Sequence, residues 1–205
     1  MKSIKLTFII LLLFIIYIFL SAKSYSTYVF DNLSNEVFRL HIVANSNSSE
    51  DQYLKLQIRD NVLSYINNFI TKDTKKSDVI SIINAHKDEI NSIIKSTIEK
   101  NGYNYNYSFN IEKCYFPTKN YGDISLPEGM YDCLNIKIGN QAGENWWCVM
   151  FPPLCIIDTE MWLKEDSKEI LLNNIDQESY DIVSSKKGEY KVKFKILEIF
   201  SSFNS

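Results

Sequence analysis

The chain has 205 residues, among them 22 basic, 25 acidic and four cysteine residues, and a formal net charge of −3. This charge balance gives no basic surface for nucleic acid or for an anionic membrane, so we expect no nucleic-acid partner. About 180 residues follow the N-terminal segment, which is enough for one domain with a sizeable core.

The first residues carry an export or membrane signal. Lys2 and Lys5 precede an apolar run from Leu6 to Leu20 that is interrupted only by Thr7. The length of this run lies between that of a signal-peptide core and that of a membrane-spanning helix. We therefore expect residues 1–24 to be a signal peptide, or an anchor that contacts the membrane if it is not cleaved. Residues 30–205 should then form an extracytoplasmic domain.

The domain is predicted to begin with a strand over residues 36–44. Apolar residues alternate there with Arg39 and His41, so these two side chains should share one face of a sheet. Asn45 follows in a polar loop, and the loop at the end of a strand is a common place for functional groups. This edge is therefore a candidate contact surface.

Two helices should follow the strand. Ser49 and Gln52 fit a capping box, which predicts that the first helix begins at Glu50 and buries one apolar stripe. A second helix should cover residues 77–100, because its isoleucines recur at helical spacing. The Asn101-Gly102 pair is a typical helix end.

Three further strands are predicted after the helices. Aromatic residues alternate with amides over residues 103–111, apolar residues alternate over 134–138, and residues 146–151 form a continuous apolar run. Strands that follow helices predict an α+β fold. We expect a single domain with a mainly antiparallel sheet, helices packed on one face, the order β-α-α-β-β-β and a helical C-terminal segment. Residues 176–187 should form a loop, and residues 190–200 a helix.

The run at 146–151 ends in two prolines, which stop the strand. Cys148 and Cys155 flank this corner and can form a disulfide in an oxidising compartment, although both could instead be buried free thiols. Trp147, together with Val149 and Phe151, should form an apolar row on the far side of the sheet. Either the tail covers that row or it serves as a docking patch.

No recognised catalytic or metal motif is present in the sequence, and no cofactor is predicted. The two histidines lie far from any cysteine at zinc-ligand spacing. His41 with Cys148 or Cys155 leaves an extracytoplasmic thiol hydrolase as one alternative function. A cell-wall-binding module is another, with three stacking rings, those of Tyr103, Tyr105 and Trp146.

Several strings of residues carry a family resemblance over about residues 30 to 160. They are Phe38 to Ser46, Asp51-Gln52, Lys55, Arg59-Asp60, Tyr121-Gly122, Leu126-Pro127, Gly129 to Tyr131, Gly139 and Asn145 to Cys155. In this combination and order they resemble stage II sporulation protein R of endospore-forming bacteria. Phe38 and Met150 depart from the family pattern within otherwise matching strings.

The resemblance implies a secreted signalling protein and no enzyme. Such proteins pass from the forespore into the space between the forespore and mother-cell membranes. There they activate a membrane-embedded aspartic protease, which processes the precursor of the mother-cell sigma factor. The candidate partner-binding residues are Arg39, His41, Asn45, Asp51, Gln52, Lys55, Arg59 and Trp147. For Arg39 the alternative is an ion pair with Asp60 or Asp51 that only locks helix to strand.

Overall fold

The computed structural model describes residues 2–122, 124–155 and 165–184. The helices within these ranges are α1 Lys2–Glu36, α2 Ser49–Asn67, α3 Lys76–Ala85, α4 Lys87–Lys100, α5 Glu165–Asn174 and α6 Gln177–Ser184. The strands are β1 Phe38–Val43, β2 Tyr107–Phe116, β3 Lys119–Tyr121, β4 Ile124–Leu126, β5 Gly129–Ile138 and β6 Asn145–Phe151. The helix predicted over 190–200 lies outside the described residues.

Four strands form one mixed sheet in the order β2-β5-β1-β6. β5 is antiparallel to β2, β6 is antiparallel to β1, and β1 and β5 are parallel. The parallel pair is possible because three helices and the strands β2, β3 and β4 separate β1 from β5 in the chain, which gives the connection needed to cross over. The predicted single-domain α+β fold is confirmed. The β3–β4 hairpin, which the sequence did not predict, forms a small sheet of its own.

The first core lies between the sheet and helices α2, α3 and α4. Leu40 and Ile42 of β1 pack there with Ile58 of α2, Ile83 of α3 and Ile94 of α4, and all five are essentially inaccessible to solvent. The apolar stripes read from the sequence therefore face the sheet, as predicted.

The helix predicted over residues 77–100 is in fact two helices, which separate at His86. His86 has backbone angles outside the helical range, φ −107° and ψ 29°. Its Nδ1 lies 2.9 Å from the Tyr65 hydroxyl, and its ring lies 4.4 Å from that of Phe69, so the end of α2 and the residues just after it hold the side chain. The end of α4 is as predicted, with Asn101 as its C-cap and Gly102 at φ +81°.

A second core lies on the other face of the sheet, whereas the sequence predicted that the helices pack on one face. Val29 and Leu33 of α1 pack there with Val149 of β6, Leu171 of α5 and Val183 of α6. α1 reaches this face because no proline or glycine interrupts it before Glu36. Residues 176–187 were predicted to be a loop, but α6 occupies most of them. Of the two alternatives that the sequence left open for the predicted apolar row, coverage holds for Val149, which is buried with residues of α1, α5 and α6, whereas Trp147 is only partly buried.

The corner after β6 contains one of two disulfides, Cys148–Cys155; the other is Cys114–Cys133. The pairing of β1 with β6 shifts by one residue near this corner, since Phe38 lies opposite Phe151 whereas Arg39 lies opposite Val149. This irregularity turns Phe151 into the first core. The prediction that Phe151 shares a face with Val149 is therefore wrong.

Candidate functional site

Four of the eight candidate residues meet where β1 ends and α2 begins. Asn45 Nδ2 donates to Asp51 Oδ2 over 2.7 Å. Lys55 Nζ donates to Gln52 Oε1 and, over 2.9 Å, to the carbonyl oxygen of Glu144. These bonds tie the loop after β1 and the first turns of α2 to the start of β6.

The cap of α2 differs by one residue from the predicted one. Ser48, in an extended conformation, accepts the Asp51 backbone N–H through its Oγ over 3.2 Å, and the helix begins at Ser49. Gln52 does not return to the cap, because its side-chain amide donates to the carbonyl oxygen of Ser46 over 2.8 Å. The predicted Ser49–Gln52 capping box is therefore wrong.

Asp51 is the electrostatic centre of this network and is only 4% exposed. Burial raises its pKa, but hydrogen bonds to the carboxylate outweigh burial and the net pKa lies below the usual range. The main donors are Ser46, at 2.5 Å, and Asn45, with Tyr105 contributing further. The carboxylate is therefore charged and held by neutral donors near the N-terminus of a helix, where a negative charge is favourable.

Two glycines let the β5–β6 turn pack directly on this network. Gly139 has φ +54°, and a Cβ atom there would lie 2.2 Å from Asn45 Oδ1. That same oxygen accepts the Asn140 backbone N–H over 2.9 Å. At Gly143 a Cβ atom would lie 2.3 Å from the carbonyl oxygen of Ser46. The close approach therefore requires glycine at both positions.

Lys55 and Arg59 are buried cations on the face of α2 next to β6. Burial lowers the pKa of Lys55, the charge of Glu144 opposes that shift, and Arg59 adds to it. The Arg59 guanidinium lies 4.3 Å from the Trp146 ring centroid and pairs with Asp60 over 2.5 Å. Both cations are thus fixed by packing, and neither forms an exposed patch.

Arg39 lies on the opposite face of the sheet and is fully buried. Its guanidinium lies 4.0 Å from the ring centroid of Phe116 and 4.8 Å from that of Tyr131, and Nη2 donates to the Tyr121 hydroxyl over 2.7 Å. The proposed ion pairs with α2 are absent among the described contacts. The reason is that α2 covers the first face of the sheet whereas Arg39 points to the second.

His41 and Trp147 lie next to Arg39 on the second face. Their rings are stacked, 5.8 Å apart and within 3° of parallel. His41 Nε2 lies 2.9 Å from Asn145 Oδ1, and Lys119 Nζ lies 5.1 Å from the Trp147 ring centroid. Burial lowers the pKa of His41, and the hydrogen bond with Asn145 opposes this only in part. The imidazole is therefore neutral at pH 7.

His41 and Trp147 belong to a surface that we call the sheet platform. It consists of two cross-strand rows in register, Asn110–Asn135–His41–Trp147 and Ser108–Lys137–Val43–Asn145. The second core covers the next row, which contains Arg39, but Ser108, Asn110 and Asn145 are exposed. Sequence reasoning found His41 and Trp147 and missed the amides of β2 and β5. Their strict alternation with buried residues was the available signal.

Neither alternative function is favoured by this geometry. Cys148 faces the first core and is bonded to Cys155, while His41 faces the second side, so no described cysteine provides a thiol for that imidazole. The rings of Tyr103 and Tyr105 stack on each other and pack half-buried against the first core. Within the described residues, no cluster of three potential metal ligands occurs.

A groove of about 920 Å³ runs along the contact between α2 and α4. Tyr53 and Asp60 line it from α2, and Thr97 and Lys100 line it from α4. None of the eight candidate residues except Arg59 contributes to this groove. The groove lies on the side of the protein away from the sheet platform, so its residues can serve as controls in tests of the platform.

Residues 34–161 match a family model described as Stage II sporulation protein R (spore_II_R), and they make up more than half of the chain. The chain belongs to the stage II sporulation protein R family. Within this family, Stage II sporulation protein R of Bacillus subtilis (strain 168) is 42% identical to the chain over 126 residues. The match covers 62% of this chain and 56% of that relative. No solved structure matches the chain significantly.

The stage II sporulation protein R match includes all eight candidate residues and both disulfides. It begins in the last turn of α1 and ends before α5, so most of α1 and all of α5 and α6 lie outside it. α1 contains the one described segment, Ile4–Glu36, whose length and apolar composition would allow it to cross a membrane. A signal sequence has the same properties.

Proposed function

We propose that this chain is an exported signal between two compartments of the sporulating cell. It activates a membrane-embedded aspartic protease, which then processes the precursor of the mother-cell sigma factor. The observation that carries the proposal is membership of the stage II sporulation protein R family over residues 34–161. That membership supports a role in sporulation, and the protease and its substrate are our extension of it.

Two structural features support an extracytoplasmic site of action. The apolar segment 4–20 of α1 is exposed along its whole length, as expected of a segment that enters a membrane or is removed during export. Both described cysteine pairs are disulfides, which persist outside the cytoplasm. These features support an extracytoplasmic domain, and the space between the forespore and mother-cell membranes is our proposal for its location.

A signalling role also fits the chemistry of the strings that carry the family resemblance better than catalysis does. Most polar groups of the network around Asp51 already form hydrogen bonds that fix the loop after β1 to α2. These residues are Asn45, Asp51, Gln52 and Lys55. Such residues shape a surface, whereas a catalytic group needs access to substrate. The domain would therefore act as a rigid ligand for its receptor.

The test is epistasis in the sporulating bacterium. Deleting the gene should leave the sigma-factor precursor uncleaved while immunoblots show the protease at its normal amount. The full chain supplied in the forespore should restore cleavage, and the same chain without residues 2–22 should not, because it stays in the cytoplasm. Normal processing in the deletion strain would contradict the proposed function.

A further inference from the structure

We propose that the sheet platform binds an extended, acidic segment of the protein partner. This inference rests on the proposed function, since it names the surface through which the signal acts and the chemistry that this surface recognises. It is carried by three observations on the second face of the sheet: unpartnered buried polar atoms, a local excess of positive charge, and an open aromatic stack.

Four of the eight buried side-chain polar atoms without a well-formed hydrogen bond among the described residues lie beside the platform, namely Arg39 Nε and Nη1, His41 Nδ1 and Asn135 Oδ1. His41 and Asn135 are neighbours in one row, and a contact between their side chains satisfies them in part. All four atoms belong to β1 or β5 and point to the same face. Buried polar groups are nearly always satisfied in a complete structure, so His41 and Asn135 of the platform can take further partners, whereas the Arg39 guanidinium lies beneath the second core and contributes only its charge. Both donors and an acceptor are needed, as a peptide segment provides.

The charge of this region selects an acidic segment. The cations are Arg39, Lys119 and Lys137, and the carboxylate of Glu112 is the one acidic group that contacts them or the platform among the described residues. Glu112 is already bonded to Asn135 and lies 3.7 Å from Lys137. The chain as a whole has a net charge of −3, so this local excess of positive charge is a departure from the rest of the surface.

The cations are arranged around the aromatic stack. Lys119 lies over Trp147, and the Phe116 ring bridges the row, with its centroid 4.0 Å from the Arg39 guanidinium carbon and 6.1 Å from the His41 ring centroid. A carboxylate placed beside His41 would therefore lie about one row of side chains, ~5–7 Å, from the buried guanidinium, whose field is weakly screened. The stack itself offers a flat apolar contact for the backbone or side chains of the segment.

Photo-crosslinking in sporulating cells tests the surface with the full chain and a tagged protease. Benzoylphenylalanine replaces Asn110, an exposed platform residue, or Tyr53, which is 59% exposed in the α2–α4 groove. We expect a crosslink to the protease from position 110 and none from position 53. A crosslink from position 53 alone, none from either while processing is normal, or one to lipid alone from position 110, would each overturn the platform proposal.

Charge reversal tests the acidic character of the segment. Lys119→Glu and Lys137→Glu should each reduce crosslinking from position 110 by about tenfold. Lys95→Glu is the matched control, since Lys95 is exposed on α4 next to Glu99, and it should change nothing. Equal crosslinking in all three variants would overturn the charge selection. Loss of processing in the parent deletion strain remains the separate test of the proposed function.

Arg39→Met separates recognition from folding. Methionine keeps most of the side-chain length and its packing on Phe116 and Tyr131 but removes the buried charge, which has no carboxylate partner among the described contacts, so the fold should tolerate the change. We expect unchanged export and thermal unfolding, with crosslinking from position 110 reduced by about tenfold. Arg39→Lys, which keeps the charge, should retain part of the signal. Full crosslinking by a folded Arg39→Met protein would refute a role for the guanidinium in binding.

Discussion

Replacing Gly139 by alanine should destabilise the domain much more than the same change at Gly102. Both glycines have positive φ, +54° and +81°, so alanine costs conformational energy at either position. Nothing lies within 4 Å of a Cβ atom at Gly102. At Gly139 the Cβ atom would lie 2.2 Å from Asn45 Oδ1, so the Asn45 side chain must move. The two variants therefore differ by the displacement of one side chain.

The magnitudes follow from the contacts that Asn45 makes. Left-handed alanine costs about 1 kcal/mol, which is the whole effect expected for Gly102→Ala. Moving Asn45 also breaks its hydrogen bonds with the Asn140 backbone N–H and with Asp51. At about 1 kcal/mol for each bond, Gly139→Ala should cost about 3 kcal/mol in the free energy of unfolding. For a domain of this size, that lowers Tm by ~6–12 °C, against ~2–4 °C for the control.

Thermal and guanidinium unfolding of the oxidised, purified chain measures both variants, with tryptophan fluorescence as the readout. Asn45→Ala in the Gly139→Ala background provides a further check. It removes the side chain with which the new Cβ atom would collide, so the two changes together should cost less than their sum. Equal destabilisation by Gly139→Ala and Gly102→Ala would refute the reasoning, because it would mean that the contact with Asn45 carries no free energy.

Three further predictions concern the titration of Asp51 and His41 and the two disulfides. Because the pKa of Asp51 is lowered by folding, its stabilisation is present above the unfolded value of about 3.9 and is lost as pH falls through the folded value. Asp51→Asn should therefore flatten the urea stability curve between pH 7 and 2, and an unchanged slope would contradict this. His41 also has a lowered pKa, so its protonation, read as quenching of Trp147 fluorescence, should have a midpoint below 6.5 and vanish in His41→Asn. Replacing Cys114–Cys133 by alanines should cost roughly 3 kcal/mol and replacing Cys148–Cys155 roughly 2.5 kcal/mol, since the closed loops differ in length, and the reverse order in chemical denaturation would refute this.

Local patterns predicted the elements that alternate or repeat cleanly. The β1 alternation placed Arg39 and His41 on one face, and the isoleucine stripes of α2 and α4 face the sheet as expected. These predictions succeed because side-chain period alone decides which residues share a face. The pairing of β1 with β5 in parallel was not predictable in this way. It depends on how the intervening helices return the chain, which no local pattern records.

The candidate site was predictable in its members but not in its arrangement. The eight residues fall into a hydrogen-bonded network around Asp51, the Arg59–Trp146 contact, and the second-face group of Arg39, His41 and Trp147. The sequence predicted Arg39 to lie at an exposed edge, because the alternation in β1 shows which face a side chain occupies but not how deeply it is buried. Depth depends on the β3–β4 hairpin and α1, both of which cover that face only through tertiary contacts.

The second core joins α1 with α5 and α6, which lie far apart in the chain, so its parts become available for folding at different times. If the chain is exported from its N-terminus as proposed, Val29 and Leu33 emerge early, whereas Leu171 and Val183 emerge much later. The first core can largely close while the tail is still in transit, because its buried residues lie between positions 38 and 151 with the single exception of Ile170. Until the tail arrives, the apolar side of α1 stays open to extracytoplasmic proteases. For a chain exported as proposed, resistance to proteolysis would therefore report that α5 and α6 have been translocated, and a chain that stalls earlier would keep an apolar face exposed to proteases.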